Sequence, residues 1–202
     1  GPKAPLDLIV LLDTSISMVL SDYQQGEQTV SRLDFAKGLV DRLAADYRGE
    51  RLGLYTLGSP SARLLPLTRD PQLFRHTLAR VTPTLAGRRA ELGDALALIA
   101  RQLKQQPGGR EQAVLLVTDG TQPSGALSPE AGAEQLHQAG VSLHILVTGA
   151  RGDTAPDSSS GLLFAAARPG QLTKLAESTG ATSYPAANID ALSQAMTTLA
   201  EQ

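Results

Sequence analysis

Four short aliphatic runs constrain this chain more than any other feature. Leu6 to Leu12 is apolar throughout except for Asp7. Leu52 to Leu57, Ala113 to Thr118 and Val141 to Val147 are of the same kind, the last with His144 as its one obvious polar insertion. None of them alternates apolar with polar. A strand with one wet face alternates, whereas a strand covered on both faces does not, so these runs predict strands of a parallel sheet buried between helices. Helical stripes lie between and after them. Leu33, Ala36, Val40, Leu43, Ala44 and Tyr47 share one face, as do Leu92, Ala95, Leu96, Ile99, Ala100 and Leu103, and then Ile189, Leu192, Met196 and Leu199. Spacings of three and four residues give each helix an apolar face to lay on the sheet.

Boundary residues agree with this division. Asp70-Pro71 and Ser128-Pro129-Glu130 read as N-caps with proline in the first helical position. Gly49, Gly140 and Gly180 read as helix stops. Arg63 to Leu67 reads as a short edge strand, hairpinned to Leu52–Leu57 through Gly58-Ser59-Pro60-Ser61, and Pro66 suits an edge. The predicted fold is therefore α/β, a Rossmann-like doubly wound and mostly parallel central sheet with one antiparallel edge strand and helices on both faces. At 202 residues, with no internal repeat or boundary, residues 3–202 read as a single domain. Gly1-Pro2 resembles the remnant of a cleaved tag and is set aside. Gly149 to Gly161 is rich in turn formers and reads as a mobile loop.

Composition removes several functions. A formal charge of −2 offers nothing for nucleic acid or an acidic membrane. The absence of cysteine rules out disulfides, thiol catalysis and zinc–thiolate sites. No apolar run approaches the roughly 18 residues of a membrane span. There is no Gly-x-Gly-x-x-Gly after the first strand, no P-loop and no Gly-x-Ser-x-Gly elbow.

What remains is at the strand tips. The first run ends in Asp13-Thr14-Ser15-Ile16-Ser17, and the third ends in Thr118-Asp119-Gly120. Open α/β sheets bind ligands outside the carboxyl ends of their strands. Carboxylates and hydroxyls delivered there are hard oxygen donors, suited to Mg²⁺ with coordination positions left open. An open position on such a cation accepts a carboxylate from a partner.

These residues carry a resemblance. The chain resembles a von Willebrand factor A (VWA) domain, whose metal-ion-dependent adhesion site (MIDAS) begins with Asp-x-Ser-x-Ser after strand one. Asp13, Ser15 and Ser17 match it, and Asp119 matches the later MIDAS aspartate. More narrowly, it is similar to the bacterial Bat (aerotolerance) proteins. Ser31-Arg32-Leu33-Asp34-Phe35-Ala36-Lys37 looks like their first-helix opening. Arg51-Leu52-Gly53-Leu54, Pro66-Leu67-Thr68-Arg69-Asp70, Leu92-Gly93-Asp94-Ala95-Leu96 and Leu175-Ala176-Glu177-Ser178-Thr179-Gly180 match as well. The resemblance implies a Mg²⁺ site (or Mn²⁺ or Ca²⁺) and a partner protein that presents Asp or Glu to the metal. It also implies a MoxR-type AAA+ ATPase or another VWA protein as associate, with no nucleic acid involved. The implied setting is the bacterial cell envelope, as the soluble, periplasm-facing domain of a membrane-anchored protein.

One position departs from the pattern. Ala90 stands where the family carries a MIDAS threonine, within Gly87-Arg88-Arg89-Ala90-Glu91-Leu92-Gly93. Alanine has no oxygen to give through its side chain. Arg88 and Arg89 would repel a cation or pair with a carboxylate, and Glu91 would replace the missing oxygen if the loop were shifted. Three readings follow. The first is a metal-dependent protein-binding module. The second is an interaction domain that works without metal, with Arg88 or Arg89 neutralising the acidic tips. The third is a Mg²⁺-dependent phosphoryl-transfer enzyme, for which no general base or phosphate cradle is visible. Arg151-Gly152-Asp153 reads as a solvated turn. His76, His137 and His144 are too scattered for a metal pair, and His144 reads as a hydrogen-bonded core or edge residue.

Overall fold

The computed structural model describes residues 6–83, 89–105, 111–120, 124–149, 172, 174–177, 180, 182–185 and 194. In chain order its strands are β1 (Leu6–Asp13), β2 (Tyr23–Gln25), β3 (Gln28–Val30), β4 (Arg51–Leu57), β5 (Ala62–Thr68), β6 (Glu111–Thr118), β7 (Ser142–Val147) and β8 (Thr182–Pro185). Among the described residues its helices include α1 (Arg32–Ala45), α2 (Pro71–Ala79), α3 (Leu92–Lys104) and α4 (Pro129–Gln138), with a 3-10 turn at Ile16–Val19. Six strands form one sheet in the order β5-β4-β1-β6-β7-β8, and β2 and β3 form a separate hairpin. All pairings in the large sheet are parallel except the edge pair β4–β5.

β1 shows why its sequence does not alternate. All eight of its residues are buried. Leu6, Leu8, Val10 and Leu12 face one cluster, with Leu33, Ala36, Leu39 and Val40 of α1 and Phe74 and Leu78 of α2. Ile9 and Leu11 face the other, with Leu96 and Ile99 of α3 and Leu136 of α4. Each fully buried aliphatic side chain contributes roughly 1.5–3 kcal/mol, so both faces must stay covered. Asp7, the break in the run, is answered across the ladder. Arg51 of β4 donates to it through Nε at 3.0 Å and Nη2 at 2.7 Å.

The starts of α2 and α4 fall where the caps Asp70 and Ser128 predict, and Ser31 caps α1 in the same way. Ser31 Oγ accepts from Asp34 N, Asp70 Oδ1 accepts from Gln72 N and Leu73 N, and Ser128 Oγ accepts from Ala131 N. Gly140 follows the end of α4 with φ of 75°. Gly49, expected to stop α1, does something else. The helix already ends at Ala45, and a Cβ on Gly49 would overlap the Tyr47 ring and the Leu6 carbonyl. That space is needed for the Tyr47 hydroxyl to donate to Leu6 O at 2.5 Å. Gly180 lies in a turn at φ of 73°. Gly1-Pro2, Arg151-Gly152-Asp153, the body of the Gly149–Gly161 segment and the stripe Ile189, Leu192, Met196, Leu199 lie outside the described residues.

His144 is buried within β7, between β6 and β8, so it is a core residue and not an edge one. Neither ring nitrogen finds a hydrogen-bond partner among the described residues, contrary to the hydrogen-bonded reading. Burial pushes its imidazolium down from 6.5 to about 4. The folded state thus holds it neutral while the unfolded chain protonates it, and stability is lost as pH falls from 6.5 towards 4. Urea unfolding at pH 7 and pH 4.5 should show a loss of roughly 1–3 kcal/mol from this group. His144→Leu should flatten the acid limb, and an unchanged limb would refute this assignment.

Candidate metal centre

The chain leaves β1 towards β4 on one side and returns to β6 on the other. The carboxyl ends of β1 and β6 therefore flank a topological switch point, where an α/β sheet leaves a crevice. Asp13 ends β1 there with no solvent exposure. Its Oδ1 accepts from Ser15 N at 2.8 Å, and its Oδ2 accepts from Thr118 Oγ1 at 2.7 Å. Thr118 Oγ1 in turn accepts from Gly120 N at 3.1 Å. One carboxyl thus ties both strand tips together and sets the turn after each. Burial, then the neighbouring Asp119, pushes Asp13 up to about 6, against the hydrogen bonds from Ser15 and Thr118.

Ser15 precedes the 3-10 turn and is 4% exposed. Its Oγ is 3.5 Å from Ser17 Oγ, close enough for both to bond one cation with metal–oxygen distances of about 2.0–2.6 Å. Ile16 between them points outward at 51% exposure. Asp119, fully buried at the end of β6, accepts through Oδ2 from Arg32 Nη1 at 2.8 Å. Arg32 Nε donates to Asp22 Oδ2 at 2.5 Å, and all three side chains are inaccessible to solvent. Arg32 N also donates to Leu20 O at 2.8 Å, fixing the start of α1. The β2–β3 hairpin closes over this region. Tyr23 stacks on Phe35 at 3.8 Å between ring centroids, and its hydroxyl accepts from Gly149 N at 2.8 Å.

The structure thus brings Asp13, Ser15, Ser17 and Asp119 to one place. All four offer oxygen, the donor set a hard divalent cation takes. Among the described residues no three His, Cys, Asp or Glu groups cluster as a metal site, so a cation there depends on the hydroxyls. Ala90 adds nothing from its side. It is buried in the apolar cluster of α3, and its carbonyl accepts from Ser124 N at 2.9 Å. Glu91, the residue expected to compensate, accepts through Oε1 from Ser59 Oγ at 2.7 Å. Arg89 is exposed, and Arg88 lies outside the described residues. The Leu92-Gly93-Asp94 motif fastens this corner. A Cβ on Gly93 would strike the carbonyls of Leu127 and Ser128, and Asp94 Oδ2 accepts from Ala126 N at 3.0 Å. Beside Gly120 opens a cavity of about 390 Å³ whose walls include Leu92, Leu172 and Leu175.

Sequence reasoning assigned no role to Arg32 or Thr118. Arg32 carried a signal nonetheless. It occupies the first position of a helix, where the macrodipole disfavours a cation, and so it needs carboxylates nearby.

Fold and site together define a domain of the von Willebrand type. The sequence profile of the von Willebrand factor type A domain matches residues 8–122, more than half of the chain, and the chain belongs to that family. It is similar to BatB from Bacteroides thetaiotaomicron (TM-score 0.83, 21% identity, 98% of this chain and 100% of that one). It is also similar to an aerotolerance-related membrane protein from Bacteroides fragilis (TM-score 0.80, 21% identity, 96% and 97%). Proximal thread matrix protein 1 from the mussel byssus, with zinc in its MIDAS motif, shares the fold at TM-score 0.67 and 18% identity, over 98% of this chain and 46% of that one. A curated protein of Borreliella burgdorferi is 23% identical over 118 residues, which are 58% of this chain and 33% of that protein. The matched part therefore spans about a third of that relative.

Thr118→Val keeps the shape of the side chain but leaves Asp13 Oδ2 and Gly120 N without it. A loss of about 1–3 kcal/mol in urea unfolding is expected from unsatisfied buried groups. A variant as stable as the parent would show that Thr118 does not join the two tips.

Proposed function

We propose that this domain is a protein-binding module that holds a divalent cation, Mg²⁺ by preference and Mn²⁺ or Ca²⁺ as alternatives, among Asp13, Ser15, Ser17 and Asp119. The observation that carries this reading is the convergence of two buried carboxylates and two adjacent hydroxyls at the β1/β6 switch point. A bound cation supplies an open, Lewis-acidic position that an Asp or Glu of a partner fills. The chain's own residues do the rest. Thr118 and Ser15 orient the Asp13 carboxyl, the 3-10 turn presents Ser17, and exposed Ile16 gives the partner an apolar contact beside the metal. The zinc-occupied MIDAS of the mussel protein supports metal binding by this fold.

The likeness to BatB and to an aerotolerance-related membrane protein supports a bacterial envelope setting. There the domain would serve the assembly or maturation of other proteins, with a MoxR-type ATPase or another VWA protein as associate. Its chemistry is recognition and not turnover. A second reading, an interaction domain independent of metal, is favoured by the Arg32–Asp119 pair and by the missing oxygen at Ala90.

Calorimetric titration of Mg²⁺ and Mn²⁺ into chelator-treated protein separates the two readings. The metal reading expects saturable heat that disappears in Asp13→Ala and in a Ser15→Ala/Ser17→Ala double variant. Partner capture should then be abolished by EDTA. Absence of heat, with capture indifferent to EDTA, would establish the second reading instead.

A further inference from the structure

We infer that Arg32 sets the cation affinity of this site by acting as its built-in counter-cation; the inference rests on the metal-binding reading above. The guanidinium lies between two buried carboxylates, with Nη1 on Asp119 and Nε on Asp22. Asp119 also bears electrostatically on Asp13, so the arginine's charge belongs to the whole acidic centre. All of this is inaccessible to solvent, where charge–charge energies are several times those in water.

Two consequences follow from a permanent cation in that position. The strand tips stay assembled with no metal bound, because Arg32 offsets the charge of Asp119 that bears on Asp13. A dication that enters must then share Asp119 with a group that is already hydrogen-bonded to it and that repels it. Ala90 sharpens the effect, since the site has no side-chain oxygen from that position and leans harder on its carboxylates. The domain is accordingly tuned for weak, reversible cation binding and for integrity when empty. Arg32 supplies at Asp119 a neutralising charge of the kind expected of Arg88 or Arg89.

The test compares Mn²⁺ affinity by calorimetry with melting temperature in the whole domain. Arg32→Gln keeps a hydrogen-bond donor and removes the charge. It should lower the melting temperature of the metal-free protein, yet tighten Mn²⁺ binding by about tenfold or more, because one repelling charge is gone from a desolvated site. Saturating Mn²⁺ should then recover much of the lost melting temperature. Arg32→Lys keeps the charge and loses the fork, so it should melt earlier while its Mn²⁺ affinity stays near that of the parent. A scaffold role alone predicts that both variants lose stability and affinity together, and that result would overturn the inference. Should Arg32→Gln fail to fold without metal, Arg32→Gln/Asp22→Asn removes the uncompensated second carboxylate. Arg32 stands between Asp22 and Asp119, so loss of the nearer charge dominates, and binding should still be tighter than in the parent. Equal or weaker binding would again overturn it. If the parent binds Mn²⁺ and no variant tightens, the metal reading stands and the role of Arg32 falls. If the parent shows no heat and Arg32→Gln binds, the role of Arg32 stands and the metal reading of the parent falls. If no form binds, both fall.

Discussion

Two carboxylates without solvent exposure, at the ends of adjacent parallel strands, impose a problem of compensation that shapes this side of the molecule. Isolated buried charges are too costly to keep, so each must find donors or a counter-charge. Asp13 finds donors in Ser15 N and Thr118 Oγ1, and Asp119 finds a counter-charge in Arg32. Meeting those needs fixes the turn after β1, the turn after β6, the start of α1 and, through Asp22, the strand entering the β2–β3 hairpin. The same groups that satisfy the fold lie at and beneath the site where recognition is proposed.

The sheet was legible because burial on both faces writes itself into composition. Leu6 to Leu12 admits no polar alternation since α1 and α2 cover one face and α3 and α4 the other. The antiparallel edge was legible from Pro66 and the turn residues before it. The β2–β3 hairpin was not foreseen. Tyr23–Gln25 and Gln28–Val30 are three-residue strands, largely exposed, with no periodicity to find. β8 was missed for a related reason, as Thr182–Pro185 is short and carries no aliphatic run. Gly49 was misread because a glycine after a helical stripe looks the same whether it ends the helix or makes room for Tyr47.

At the site, Asp13, Ser15, Ser17 and Asp119 were readable because they sit in register with strand ends, and strand ends were readable. Their electrostatic partner was not, since Asp119 and Arg32 are 87 positions apart and meet only through the doubly wound topology. Local pattern pointed to the two arginines next to Ala90, which are near in sequence to the departure. Among the described residues, the fold answers Asp119 with an arginine from the start of α1.

β1 lies at the centre of the sheet, hydrogen-bonded in parallel to β4 and β6 along its length. Ser15 and Ser17 follow directly from its end. A mechanical load applied at those hydroxyls therefore enters the fold along the axis of its innermost strand. It must shear two ladders at once, where a load on an edge strand would peel one bond after another. A site placed there is anchored in a strand that is held on both sides.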